Sequence, residues 1–130
     1  MWYPVTVSTA FSNGALVYMD TSVGTIKPAT STTAGSVTLG VIRHKIASTD
    51  SDYATARLVE VEVPVEKNVV WTADVTSGLA TTDVGKYLDL TNSVTMNYTG
   101  STYKICFVTK YLSTTKAEVI LNIGPESIGA

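Results

Sequence analysis

With 130 residues and a net charge of −2, the chain has room for one domain with a real hydrophobic core. Hydrophobic residues make up 45% of it, which excludes wholesale disorder, while charged residues are only 15%, so Thr and Ser supply much of the polar surface. The nine Lys and Arg are scattered among eleven Asp and Glu, which argues against nucleic acid, whose binding needs clustered cations, and against an anionic membrane surface.

Residues 1–13, MWYPVTVSTAFSN, read as an N-terminal arm closed by the Asn13-Gly14 turn signal. Trp2, Tyr3, Val5 and Val7 are too apolar for a free tail. Val5 and Val7 share one face of an extended segment, the pattern of a strand added to an exposed sheet edge. The expectation is an arm that is disordered in solution and orders on a partner through these four residues. The competing expectation makes the segment the first strand of the domain, with Trp2 capping the core.

A β-domain over 14–124 follows, built of short runs divided by Gly, Ser, Thr and Asp. ALVYM (15–19) is a first strand, DTSVG its turn, and Ile26-Lys27 a return strand that Pro28 ends or places on an edge. A polar loop (28–36) leads to VTLGVIR (37–43), where Val37, Leu39 and Val41 alternate onto one face and Gly40 marks a close backbone approach. A second polar loop, 45–55, is expected to be mobile.

RLVEVEVPV (57–65) carries the clearest period of two. Val59, Val61, Val63 and Val65 point one way, Glu60 and Glu62 the other, which is a strand with one dry and one wet face. After a Glu66-Lys67-Asn68 turn comes VVWTA (69–73). Residues 76–86 are the one place for a short helical turn. KYLDL, SVTMNY, YKICFVTKYL and AEVILNI complete the strands, the last two as a hairpin offering Ile105, Phe107, Val119 and Leu121 to the core. Residues 125–130 read as a frayed tail. The sum is an all-β fold, a small barrel or sandwich of about eight or nine short strands.

Little of this points to chemistry. Cys106 stands alone in a strand-like run, an inert buried thiol, with no partner for a disulfide or a zinc site. His44 would need Asp50 or Asp52 and a Ser for a catalytic triad, yet no Gly-x-Ser-x-Gly elbow accompanies it. It reads as a solvated loop end. Glu60 and Glu62 project together and could form a glycosidase-like pair, but a solvent face that keeps the strand soluble, or one paired with Lys104 or Lys110, explains them better. Asp50 and Asp52 lack the ligand density of a calcium loop. Gly78 to Gly85-Lys86 is a turn, since Tyr87 stands where a phosphate loop needs Ser or Thr. No catalytic residue, cofactor site or metal site is assigned. Seven tyrosines, Tyr3, Tyr18, Tyr53, Tyr87, Tyr98, Tyr103 and Tyr111, tilt the reading toward a protein-contact surface, although each alone is better explained by core packing.

GALVYMD, the IKPAT step, the LGVI strand, VEVPVEKNVVW and DVGKYLDL follow one another in a layout that runs from about Gly14 to Asn122. That layout resembles the small phage head-decoration (capsid cement) proteins, including those with a β-tulip or lambda-type fold. It implies a non-enzymatic homotrimer seated on the major capsid protein, stabilising the shell from outside. The implied location is the virion, after synthesis as a soluble protein in the host cytoplasm. The aromatic first segment and the long 45–55 loop depart from the family layout. A carbohydrate- or receptor-binding β-module of a phage tail or fibre is the alternative.

Overall fold

The structure, a computed structural model, describes residues 1–55, 57–64 and 69–123. It is all-β, with ten strands among the described residues: β1 (Trp2–Pro4), β2 (Leu16–Asp20), β3 (Thr25–Pro28), β4 (Thr38–Ile42), β5 (Leu58–Glu62), β6 (Val70–Val75), β7 (Tyr87–Asn92), β8 (Thr95–Asn97), β9 (Cys106–Ser113) and β10 (Lys116–Leu121). Two single 3-10 turns, Gly35–Val37 and Thr81–Asp83, are the described helical elements. The second lies within the 76–86 segment where a helical turn is expected. No described helix is long and apolar enough to cross a membrane.

The strands form two units. The first half of the chain makes a five-stranded sheet in the order β1-β5-β4-β2-β3, and the second half closes a barrel in the order β10-β6-β8-β7-β9. Each has its own core. Val5, Phe11, Val17, Ile26, Ile42, Val59 and Val61 are buried on one side of the sheet. The barrel core of Leu88, Leu90, Ile105, Val108 and Val119 also takes in Leu16, Ala29 and Val41 from the sheet. The sheet is therefore covered on both faces along β2 and β4, and the Leu16 N–H donates to Ser93 O of the β7–β8 turn at 2.7 Å.

Double coverage explains why β4 departs from simple alternation. Val41 and Ile42 are both buried, one in each core. Val17 pairs with Gly40 and Tyr18 with Thr38, so Leu39 is an extra residue at a bulge and packs against the core opposite Val41. Val37 is exposed in the preceding turn. The expected shared face of Val37, Leu39 and Val41 is thus corrected. Gly40 does mark a close approach, because a Cβ there would press into the Glu62 carbonyl oxygen.

In β5 the alternation holds: Val59 and Val61 are buried and Glu60 and Glu62 exposed. Val65 and the Glu66-Lys67-Asn68 turn lie outside the described residues, as does the 125–130 tail. In the β9–β10 hairpin Ile105, Val119 and Leu121 are buried as expected, but Cys106 and Val108 take the inward strand positions. Phe107 faces the other way, edge-on to Tyr87 with ring centroids 5.1 Å apart. Lys104, at φ 54, shifts the phase at the strand entrance.

Residues 1–13 are not a free arm. Trp2, Tyr3 and Pro4 pair with Glu60, Val59 and Leu58. Val5 is 3% exposed and forms an isolated parallel bridge with Ile26, which links the sheet's two edge strands. Phe11 is buried and bridges Ile46. Ordering this segment costs entropy, which the burial of Val5 and Phe11 and the ladder to β5 offset. Trp2 does not cap the core either, being 64% exposed. The 45–55 loop is anchored as well. The Tyr53 hydroxyl donates to Ser8 O at 2.8 Å, Asp50 accepts the Ala47 N–H at 3.0 Å, and Asp52 pairs with Arg57.

Candidate interaction surface

Strand pairing decides which side chains share a face. Trp2 opposite Glu60, Pro4 opposite Leu58, and Val41 opposite Glu62 place all six on one side of the sheet. Along β4 and β2 that side lies under the barrel, where Val41 and Leu16 are buried. Along β5 and β1 the same side runs past the barrel and is uncovered. Trp2 and Leu58, 64% and 60% exposed, stand there with Glu60 and Glu62. The result is a ledge, one half of a sheet face whose other half is core.

Arg43, following β4, sits at the inner end of the ledge. Its Nε and Nη2 both reach Glu62 Oε1, at 2.8 and 2.7 Å, and its guanidinium lies 5.8 Å from the Trp71 ring centroid. This cation–π contact ties the sheet to barrel strand β6. Next to it, between sheet and barrel, is a cavity of about 270 Å³ lined by apolar Leu16, Val41 and Val119, by Trp71, and by polar Asn13, Arg43 and Asp74. The Trp71 indole N–H is buried with no acceptor among the described residues. Trp2, Arg43, His44 and Leu58 line a second concavity over the ledge.

The four residues expected to bind a partner are thus separated. Trp2 and Val7 are exposed, Tyr3 is half-buried against the sheet core, and Val5 is within it. Sequence reading missed Leu58, because period-two alternation begins at Val59 and leaves Leu58 among the outward positions. An apolar residue at a wet position was the signal that could have found it.

The structure places the titratable candidates His44, Glu62 and Cys106 apart from one another in their contacts. His44 is exposed and forms no side-chain hydrogen bond or ion pair among the described residues. Glu62 pairs with Arg43 rather than with Lys104 or Lys110. Among the described residues no group of three acidic, His or Cys side chains could hold a metal ion. Cys106 is fully buried, and burial pushes its thiol up to about 12.

Two buried aspartates lock turns. Asp89 accepts the backbone N–H groups of Thr102 (2.9 Å), Tyr103 (2.6 Å) and Lys104 (2.8 Å). Asp83 accepts the Ala80 N–H at 2.8 Å and pairs with Lys86 at 3.0 Å, contacts that hold its carboxyl below the usual range. Asp20, the last residue of β2, is lowered to about 2 by Lys27 and then Ser22. Gly78, in a turn after β6, faces the Tyr98 ring at a φ of 120°. All seven tyrosines are partly buried, with Tyr98 and Tyr111 on the barrel core and Tyr3 and Tyr53 on the sheet core, so core packing accounts for these four. No family model matches the chain, and no curated protein matches it.

Proposed function

We propose that this chain is a non-enzymatic structural protein that binds the outside of a phage capsid as a homotrimer and stabilises the shell, with the major capsid protein as its partner. The observation that carries this reading is the ledge: Trp2 and Leu58 expose two large apolar side chains as diagonal neighbours on one paired strand face, with Glu60 directly opposite Trp2. Such residues, rimmed by Glu60 and Glu62, have the anatomy of a protein contact, an apolar centre with a polar border. Asp20, Asp83 and Asp89 are spent on turns, and Arg43 and Glu62 on an ion pair, which suits a protein that works through contacts. The resemblance of the sequence to head-decoration proteins supplies the partner.

The test is attachment. Purified protein should bind shells that lack it and raise their disruption temperature, and Trp2→Ser or Leu58→Ser should weaken attachment about tenfold or more. Binding should change little between low and near-molar salt, since the ledge offers apolar area rather than a stripe of one charge. Wild-type protein that fails to attach, or ledge variants that attach normally, would overturn the proposal.

The sheet–barrel cavity favours the second reading, a carbohydrate-binding module. An aromatic wall with Asn13, Asp74 and Arg43 close by is a sugar-sized arrangement. Glycan-array binding that is lost in Trp71→Ala, without shell attachment, would establish that reading instead.

A further inference from the structure

One strand of the barrel is paired over most of its length on one side only. β6 runs beside β10 from Val70 to Asp74, but on its other side it meets β8 only at Asp74 and Val75. The gap has a local cause. β8 begins at Thr95, and Ser93, two residues before it, is drawn to the sheet, where its carbonyl accepts the Leu16 N–H. The ladder fixes where the backbone groups of β6 point. The Val75 N–H donates to Thr115 O on the β10 side and the Thr76 N–H to Met96 O on the β8 side, at 2.8 and 2.9 Å. Because successive residues alternate, Trp71 and Ala73 bond to β10, while Val70 and Thr72 turn their N–H and C=O groups to the open side. No strand among the described residues receives them.

Sheet edges are ordinarily blunted by a Lys, a Pro, a bulge or a covering segment. The edges of the five-stranded sheet follow that rule: β1 ends in Pro4, β3 ends in Lys27-Pro28, and Val5 bridges to Ile26 between them. The stretch from Val69 to Ala73 has no Lys, Pro or bulge, and Val69, Val70 and Thr72 are exposed. The alternate side chains, Trp71 and Ala73, line the cavity between sheet and barrel. Its walls are apolar at Leu16, Val41 and Val119. The Trp71 N–H has neither acceptor nor solvent, so the free protein already carries that cost, and an acceptor reaching it as the cavity fills removes it.

We propose that β6 receives an extended segment of the partner that sits on the ledge. The segment pairs main chain to main chain with Val70 and Thr72. It places one side chain in the cavity, apolar in its stem and tipped by an acceptor oxygen, as in glutamine or glutamate. Strand addition of this kind takes affinity from the backbone and selectivity from the pocket that receives alternate side chains. Arg43 lines both the cavity and the concavity over the ledge, so a partner on the ledge lies next to the open edge. The inference rests on the capsid reading for the identity of that partner, and it adds the chemistry of the contact.

The test is hydrogen exchange of the whole protein, free and attached to shells that lack it. The Val70 and Thr72 amides should exchange about tenfold or more slowly on the shell, while the Trp71 and Ala73 amides, bonded to β10 in both states, change little. Two variants probe the cavity. Trp71→Phe keeps an aromatic ring and removes the N–H, and should weaken attachment about threefold to tenfold. Ala73→Leu leaves the open edge intact and fills the cavity, and should weaken attachment about tenfold or more. Circular dichroism checks that both are folded, and exchange in the wild type decides alone if either is not. Wild type that attaches without slowing Val70 and Thr72, or a folded cavity variant that attaches normally, overturns this contact and leaves the capsid reading standing. Wild type that does not attach overturns the capsid reading and this contact with it.

Discussion

Replacing Asp89 tests how far one side chain holds the barrel together. Its carboxylate is 6% exposed and takes three backbone N–H groups from the 102–104 segment, two on Oδ1 and one on Oδ2. Hydrogen bonds to a charged acceptor contribute about 1.5–3 kcal/mol each, and three on one group do not add fully. Asp89→Ala should therefore cost about 3–5 kcal/mol. For a domain of this size that corresponds to a fall of roughly 10–20 °C in Tm. Asp89→Asn keeps an oxygen for Tyr103 and Lys104 but turns an amide N–H₂ toward the Thr102 N–H, so it should cost about half as much. Urea unfolding gives the free energies. Hydrogen exchange at Thr102, Tyr103 and Lys104 should quicken in both variants ahead of the rest of the barrel. If Ala lies within about 1 kcal/mol of wild type, or Asn is no better than Ala, the lock is not the carboxylate and the argument fails.

Gly40→Ala forces a methyl group into the Glu62 carbonyl, a backbone group that yields only with the β4–β5 ladder, and should cost about 2–4 kcal/mol by chemical denaturation; a cost under 1 kcal/mol would show that the ladder gives way freely. Deleting residues 2–8 removes an edge strand and the buried Val5, so the thermal midpoint of the free protein should fall by at least about 5 °C, and an unchanged midpoint would restore the free-arm picture. Asp20 and Asp83 have folded pKa values below the ordinary 3.8, so their stabilisation is in force above that value and is lost as pH falls through the folded ones. Thermal midpoints should be level from pH 7 to about 5 and drop below about 4, and an Asp20→Asn, Asp83→Asn double variant with an undiminished drop would assign the effect elsewhere. Cys106 has the opposite sign: the unfolded thiol ionises near 9.0 and the folded one near 12, so stability declines as pH rises from 9, and a thiol reagent should label the protein only in denaturant.

Strand identity in this chain is a local property, and the sequence determined it. Glu60 and Glu62 between Val59, Val61 and Val63 can satisfy one dry and one wet face only as a strand, and β5 is one. The Gly40 approach, the 81–83 turn and the burial of Cys106 were legible for the same reason, since each follows from the size or backbone freedom of a single residue. What no local pattern could carry was which strands would lie against what. The division into a sheet and a closed barrel, and the barrel's cover over β2 and β4 but not β1 and β5, depend on pairings between residues far apart in the chain. Those pairings bury Val41 and Ile42 in two different cores, draw residues 1–13 into the domain, and leave Trp2 beside Leu58 in solvent. A side chain's alternation is set by its neighbours in sequence, but whether its face is wet is set by what packs there, and only the tertiary structure decides that.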